Sequence, residues 1–504
     1  MNPADVPAVM AVVVLDAGGH ASTVDTVRAV LAQTPSPEVI VVSVGGGDID
    51  RQLAAAGIDV MVVQSVDRLS LSSASNIGAA ATDAPQFAVL PRDCIVEPGW
   101  VAAHLRAHAE GAAVVSSPVR RRAPWQRLAA AARRWWTVAR PSAADDTPAD
   151  TVYSYSRQGL WSVGPFAGDP DTGAGVVVRE TVASPLRETR LAGSIVSRRP
   201  PSRRPHVSLA PAVASGASAP PAKPAHRAPV PVRAMAGHRR RVVSLLTFRN
   251  ERRYLKDYLA NVTPQLDGIV ALDDGSTDGS AEVLAGHPAV LEVLRIAPRV
   301  PHRWNGVGHR RLLVDAAARH GAEWALALDA DERIERGFRD RAERLIEDAG
   351  PEGPMAYAVT LRELWDRPDQ YRVDGVWGRK AVARFFRIRL DHDFGAGALH
   401  GHWAPENSRG PGGPYVRADL TVYHLKMIAA ADRERRMRRY TALDPDRQWQ
   451  RIGYGYLVDA TGLELEPLPP GREYEPLAAL TDATAEVGPL VPVVLAGRVA
   501  MVEQ

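Results

Sequence analysis

Ile269-Val270-Ala271-Leu272 runs directly into Asp273-Asp274-Gly275-Ser276-Thr277-Asp278-Gly279-Ser280, and Trp324-Ala325-Leu326-Ala327-Leu328 runs directly into Asp329-Ala330-Asp331-Glu332. Four or five apolar residues bounded by Asp, Gly and Ser have the length and edges of a buried strand rather than a helix. Two such strands, each delivering carboxylates at its C-terminal end, describe an open α/β sheet, whose ligands gather outside the carboxyl ends of the strands. Carboxylates collected there without lysines between them repel one another, and a divalent cation carrying a diphosphate relieves that repulsion.

Outward from these strands, apolar and amphipathic segments alternate. Strands are expected at Val242 to Thr247 and Val290 to Ile296, and helices at Glu251 to Val262, Asp278 to Ala285 (capped by Ser276 or Thr277) and Gly308 to His320. In the first helix Leu255, Tyr258, Leu259 and Val262 share a face. Such alternation implies a mainly parallel sheet. After Met355 the pattern is mixed, with strands expected at Met355 to Leu361, Ala381 to Ile388 and Leu420 to Leu425, then a very basic helix from Ala431 to Leu443.

The chain of 504 residues exceeds one ordinary core. Lys and Arg number 61 against 58 Asp and Glu, so the balance of +3 gives no argument for nucleic acid. The lone Cys94 excludes an intramolecular disulfide and a cysteine metal cage, and suits a reducing compartment. No basic segment precedes the short apolar run Val6 to Leu15, and no apolar run is long enough to cross a bilayer, so a cytoplasmic protein is expected. Residues 197–241 are rich in Pro, Ala, Ser and Arg and hold no acidic residue, the composition of a linker. They divide the chain into residues 1–196, a linker at 197–241, a unit at 242–445 and a tail at 446–504.

The upstream part reads as a worn copy of the downstream unit. A shift of 230 residues carries Val12 to Val242 and Ser43-Val44-Gly45 to Asp273-Asp274-Gly275. Once a shorter loop is allowed, Phe87 to Leu90 with Pro91-Arg92-Asp93 takes the place of Trp324 to Leu328 with Asp329-Ala330-Asp331.

Residues 242–445 resemble the family 2 glycosyltransferases of the GT-A fold. The resemblance rests on TFRNE (Thr247 to Glu251), DDGSTDGS (Asp273 to Ser280) and ALDADE (Ala327 to Glu332), followed in order by RFFRI (Arg384 to Ile388), LHG (Leu399 to Gly401) and YHL (Tyr423 to Leu425). It implies two GT-A-like, Rossmann-like domains joined by the linker, the second of them catalytic. By resemblance, Thr247, Arg249, Asn250 and Glu251 line the base and ribose pocket, and Asp273 or Asp274 accepts hydrogen bonds from base or ribose. Asp329 and Asp331 match the DxD element that holds Mn²⁺ or Mg²⁺, His424 completes the metal site, and Arg310 or Arg311 meets a phosphate. The general base of an inverting transfer is expected among Asp366, Glu363 and Asp374, with Asp369 nearby and Asp366 first because Trp365 beside it suits a sugar face. His400 is a further candidate on the acceptor side.

The upstream copy lacks the chemistry, since Ser43, Val44 and Pro91 replace acidic residues. It is expected to be a silent domain that packs, binds an acceptor or recruits a partner, with Asn76, Gly78 and Gly164-Pro165-Phe166 kept as fold residues. Within it, residues 125–140 place tryptophans and alanines at helical spacing among arginines, the pattern of an ordinary packed helix or of peripheral contact with an anionic membrane. The expected activity is metal-dependent transfer, with inversion, of a sugar from a nucleotide-sugar donor to a glycan, lipid-linked or other hydroxyl acceptor. A non-catalytic scaffold or glycan-binding protein is the alternative. A sugar nucleotidyltransferase is disfavoured because TFRNE stands where a glycine-rich phosphate loop is needed.

Overall fold

A computed structural model of the chain describes residues 10–17, 21–65, 69, 71–82, 84–92, 94–112, 114–121, 151–156, 188–190, 196–198, 239–303, 305–350, 353–389, 392–394, 403–408, 415–478, 490–495 and 498–503. Asp93, the basic stretch 125–140, residues 164–166, linker residues 199–238 and the Leu399-His400-Gly401 stretch lie outside them.

The N-terminal half begins with β1 (Met10–Ala17), α1 (Ala21–Leu31), β2 (Glu38–Val44), α2 (Ile49–Ala55), β3 (Met61–Ser65), α3 (Leu71–Ala80) and β4 (Gln86–Pro91). It continues with β5 (Cys94–Val96), α4 (Trp100–Ala109), β6 (Val114–Arg121), β7 (Thr151–Ser156), β8 (Glu188–Arg190) and β9 (Val196–Arg198). Its main sheet has the order β3-β2-β1-β4-β7-β6, in which β3, β2, β1 and β4 are parallel and β7 is reversed. Ser197 and Arg198, assigned to the linker by composition, belong to β9, which pairs with β5 and β6.

The C-terminal half repeats the opening pattern with β10 (Val242–Phe248), α5 (Arg252–Val262), β11 (Ile269–Asp273), α6 (Ser280–Ala285), β12 (Val290–Ile296), β13 (His302–Arg303), α7 (Gly306–Arg319) and β14 (Trp324–Asp329). Then come β15 (Glu332–Ile334), α8 (Phe338–Ala349), β16 (Ala356–Glu363), β17 (Gln370–Arg372), β18 (Ala381–Arg387), β19 (Val416–His424) and α9 (Ala430–Leu443), with β20 (Leu465–Pro467), β21 (Leu490–Leu495) and β22 (Arg498–Glu503) in the tail. The sheet order β12-β11-β10-β14-β18-β16-β19 again has four parallel strands followed by a reversed one.

The halves join edge to edge. β3 pairs antiparallel with β12 through Val63↔Ile296, Gln64↔Arg295 and Ser65↔Leu294, making one continuous 17-stranded sheet. Because this pairing is antiparallel, the two parallel blocks present their C-terminal ends on opposite rims. α3 and α7 cover the junction, and one core cluster runs through Ile40, Val63, Ile77, Leu294, Leu313 and Phe386 from both halves. Gly78 lets α3 approach β1 closely, since a Cβ there would lie 2.2 Å from Val13 Cγ1.

Strand register refines the comparison of the halves. Val12 lies opposite Val39 and Ala88, as Ser244 lies opposite Ile269 and Leu326. With β2 superimposed on β11, Val12 therefore takes the place of Ser244 rather than Val242, and Asp16 that of Phe248. A slip of two residues keeps every side chain on its face, so alternation alone cannot detect it.

The tail packs on the rest of the C-terminal half. β20 pairs with β17, the Tyr423 hydroxyl donates to the Arg472 carbonyl (2.8 Å), and the Tyr474 hydroxyl donates to the Pro368 carbonyl (2.9 Å). β21 pairs with both β13 and β22, while Leu443 of α9 shares a core with Val493, Leu495 and Val502. No helix among the described residues is long and apolar enough to cross a membrane.

Candidate functional site

Asp329 ends β14, yet Asp331 does not continue it. A turn takes Ala330 and Asp331 before β15 begins at Glu332, and the Arg333 guanidinium, 1% exposed, fastens that turn. Arg333 Nη1 donates to the carbonyls of Ala330 (2.9 Å) and Glu332 (2.7 Å), and Nη2 donates to that of Tyr254 (2.9 Å). The two aspartates are thereby separated: the Asp329 side chain is 41% exposed and the Asp331 side chain 4%. Glu332 and Glu335 are not helix-terminal acids, because α8 starts only at Phe338. Glu332 Oε2 accepts from the Asp329 amide (2.9 Å) and Arg384 Nη1 (2.7 Å), and burial raises its pKa to about 7. Glu335 is fully buried and paired with Arg472.

At Asp331 three strand ends meet. β16 ends at Glu363 and β19 at His424, and the two residues are register partners. His424 Nδ1 donates to Glu363 Oε2 (2.5 Å), and Nε2 lies 3.2 Å from Asp331 Oδ2. Lys426 Nζ lies 3.5 Å from Asp331 Oδ2 and donates to Glu251 Oε1 (2.9 Å). Burial alone would lower the His424 pKa, but Glu363 and Asp331 outweigh it and raise it to about 9. Burial likewise works against ionised Asp331 and Glu363. Lys426 and His424 nevertheless hold Asp331 well below the carboxylate range, and His424 and Lys380 do the same for Glu363. Glu251 is raised, chiefly by burial.

The expected shortage of cations beside these acids does not hold. Lys426, Lys380, Arg384 and Arg436 all reach them, from segments far along the chain from Asp331. Among the described residues no group of three or more His, Cys, Asp or Glu side chains is arranged to hold a metal. Two donors nevertheless have a suitable spacing. The 3.2 Å between Asp331 Oδ2 and His424 Nε2 is close to the ~3 Å edge between adjacent ligands of an octahedral divalent cation. Glu363 orients the imidazole through its other nitrogen, as carboxylates do for ligating histidines.

The second acidic pair is also partnered. Asp273 Oδ1 accepts from the Ser276 amide (2.7 Å), closing the turn, and Arg295 Nε lies 3.4 Å from Oδ2. Burial raises the Asp273 pKa. Asp274 lies between His302 (3.2 Å) and His309 (3.6 Å). Arg249 Nη1 donates to the Asp274 carbonyl (2.8 Å) and to His302 Nδ1 (2.9 Å). The proton of a neutral His302 is thus on Nε2, facing Asp274. Asn250, at φ 54°, accepts from the Thr277 amide (2.8 Å), and its own amide donates to Ser276 Oγ (3.0 Å). Neither Ser276 nor Thr277 caps α6. Asp278 Oδ1 instead accepts from the Ser280 amide (2.9 Å) at the helix start. Thr247 Oγ1 is buried and has no partner among the described residues.

Arg310 sits 5.6 Å from the Trp403 ring centroid, and burial lowers its pKa to about 10. The remaining base candidates stand apart from Asp331. Asp366, at φ 60° with a half-exposed side chain, accepts from Arg433 Nη2 (2.9 Å). Asp374 is forked by Arg372 (2.7 and 2.8 Å), which lowers its pKa, and Asp369 by Arg367 (2.9 and 2.6 Å). Trp365 is buried between Arg372 (4.5 Å) and Arg433 (4.2 Å) rather than presented to a sugar. Lys426, Lys380, Arg333, His302 and His309 were not singled out from sequence. Lys426 could have been, two residues past His424, and the three-residue spacing of Arg433, Arg436 and Arg439 is visible, but not the face that meets the site.

The same rim of the N-terminal half is different. Asp16, 1% exposed, accepts from Thr23 Oγ1 (2.7 Å) and Ser43 Oγ (3.1 Å), and the Arg92 amide donates to the Leu15 carbonyl (3.0 Å).

No family model matches the chain. Two curated relatives, uncharacterized proteins of Mycobacterium tuberculosis and Mycobacterium bovis, are each 27% identical over 256 residues, covering 46% of this chain and 62% of theirs. The chain thus spans less than two thirds of their length. Among solved structures, a mycobacterial protein is 19% identical with a TM-score of 0.27, covering 38% of this chain and 65% of that one. Glucosyl-3-phosphoglycerate synthase from Mycobacterium tuberculosis, solved with Mn²⁺, UDP and phosphoglyceric acid, is 18% identical with a TM-score of 0.28, covering 39% and 72%.

Proposed function

We propose that this chain is a nucleotide-sugar-dependent glycosyltransferase whose C-terminal half is catalytic and whose N-terminal half is a silent copy of the same fold. The observation that carries the reading is the meeting of Asp331, Glu363 and His424 from three strand ends with Lys426 and Arg436, at the rim of the sheet where α/β proteins bind ligands. On the adjacent strands, Arg249, Asn250 and Glu251 hold the turn after β11 and the Lys426 ammonium, shaping a pocket for base and ribose.

Mn²⁺ or Mg²⁺ fits beside Asp331 and His424, with Asp329 toward the cleft, and would neutralise charge on the departing diphosphate. The chain's own part is to orient His424 through Glu363 and to place Lys426 and Arg436 around the same point. Of the carboxylates considered as bases, Glu363 is committed to His424 and Lys380, and Asp374 to Arg372. Asp366 also accepts from Arg433, but its side chain is half exposed, so a hydroxyl acceptor can reach it. Proton removal by Asp366 during direct attack on the anomeric carbon means a single displacement with inversion. The acceptor is a glycan, a lipid-linked sugar or another hydroxyl compound. The N-terminal half contributes by packing on β12, since its own C-terminal rim faces the opposite way.

The test is calorimetric titration of UDP, GDP and dTDP, with and without Mn²⁺, into the wild-type chain and Asp331→Asn. Metal-dependent binding of one nucleotide that is lost in the variant is expected. No nucleotide binding by folded wild-type protein would overturn the reading in favour of a scaffold.

A further inference from the structure

Arg433, Arg436 and Arg439 recur at three-residue spacing on α9 and so project from neighbouring positions along one side of the helix. Arg433 anchors the helix. Its Nη1 donates to the carbonyls of Met427 (2.6 Å) and Ile428 (2.9 Å), and its Nη2 to Asp366 (2.9 Å). Arg436 has no such partners. Its Nη1 lies 3.4 and 3.3 Å from Nδ1 and Nε2 of His424, but those nitrogens already face Glu363 and Asp331. The Arg436 guanidinium has no carboxylate within ion-pair distance among the described residues, and it stands 5.6 Å from the Tyr440 ring centroid.

Arg439, one turn further on, makes no hydrogen bond or ion pair among the described residues. Across the cleft, Arg249, which follows β10, donates through its Nη1 to the Asp274 carbonyl and to His302. The hairpin β21–β22 holds these walls together, because β21 pairs with β13, which carries His302, and its core includes Leu443 of α9. Burial lowers the Arg249 pKa, Asp274 raises it, and Arg439 adds to the lowering. Guanidinium groups that line one cleft provide donors in the fork geometry that suits phosphate oxygens.

We propose that Arg436 and Arg439 form a phosphate-binding arm on α9 that, with Arg249 on the facing wall, grips the diphosphate of the nucleotide-sugar donor and makes the site select diphosphates over monophosphates. This rests on the transferase reading above. The arm holds the leaving group's charge, while base and ribose contacts lie on the opposite strands.

The test titrates the full chain, with Mn²⁺, against the nucleoside mono- and diphosphate of the base that wild type prefers, and compares Arg436→Gln, Arg439→Met and Arg439→Lys. Loss of a charge-assisted phosphate contact should weaken diphosphate binding by about tenfold or more. Monophosphate binding should stay within about threefold, and Arg439→Lys should recover part of the loss. Arg439 makes no hydrogen bond or ion pair among the described residues, so Arg439→Met decides the matter even if Arg436→Gln folds poorly. Equal weakening of both nucleotides, no weakening of either, or a wild-type preference for the monophosphate would overturn the arm. Absence of any nucleotide binding by wild type would overturn the transferase reading and the arm with it.

Discussion

A buried chain of hydrogen bonds in the N-terminal half makes a quantitative prediction. His108 Nδ1 faces the Ala112 carbonyl (2.8 Å) and must donate, so its Nε2 accepts from Ser154 Oγ (2.8 Å). Ser154 Oγ then accepts from His104 Nδ1 (2.6 Å), and His104 Nε2 accepts from Ser117 Oγ (2.6 Å), which in turn accepts from Trp100 Nε1 (3.3 Å). Every proton is assigned with both imidazoles neutral. Burial, followed by the neighbouring His108, lowers the His104 pKa from 6.5 to about 3. The folded pKa is below the unfolded one, so the unfolded state takes up the proton first. The stabilisation is complete above about pH 6.5 and is lost as pH falls toward the folded pKa. At pH 5 the His104 contribution to the loss is about 2 kcal/mol, or about a 30-fold fall in protection. Burial shifts His108 in the same direction. The assay is hydrogen exchange by mass spectrometry on peptides covering β6 and β7, corrected for intrinsic rate, at pH 7.5 and pH 5. His104→Gln keeps one donor and one acceptor but does not titrate, and should lose about 2 kcal/mol less than wild type between the two pH values. Equal losses in the two proteins would refute the assignment.

Three further substitutions probe particular contacts. Gly78→Ala places a methyl 2.2 Å from Val13 Cγ1 and should lower stability by about 1–3 kcal/mol in chemical denaturation through overpacking of α3 on β1. Arg333→Met leaves the carbonyls of Ala330, Glu332 and Tyr254 without their donor, and a loss of about 3 kcal/mol is expected, with Arg333→Lys recovering only part because an ammonium cannot fork. Arg372→Ala removes the fork to Asp374, the bond to the Asp459 carbonyl (2.6 Å) and the cation beside Trp365 and Trp377. It should make residues 455–467 readily cleaved in limited proteolysis while wild type resists.

What could be read from sequence, and what could not, follows from the range of each interaction. The strands ending at Asp273 and Asp329 and the amphipathic α5 were legible because burial period is local. The two-residue spacing of Asp329 and Asp331 suggests a shared direction only if the backbone stays extended. Here it turns after Asp329, and Arg333 fastens the turn, so one carboxylate opens to solvent and the other is enclosed. The turn chemistry of Asp273 with Ser276 was legible as a local motif, but the histidines beside Asp274 come from a later strand and helix.

The enclosed site is a product of topology. β15 runs antiparallel to β19, β18 antiparallel to β14 and β16, and β16 parallel to β19, which brings residues 331, 363 and 424 to one rim. No short window of sequence contains that meeting, and its cations come from still other segments. Asp331 and Glu363 are already balanced by His424, Lys426 and Lys380, so Arg436 and Arg439, which form no ion pair among the described residues, add positive charge to this wall. A diphosphate bound against this wall would therefore meet charge supplied by α9 as well as any cation held at Asp331 and His424.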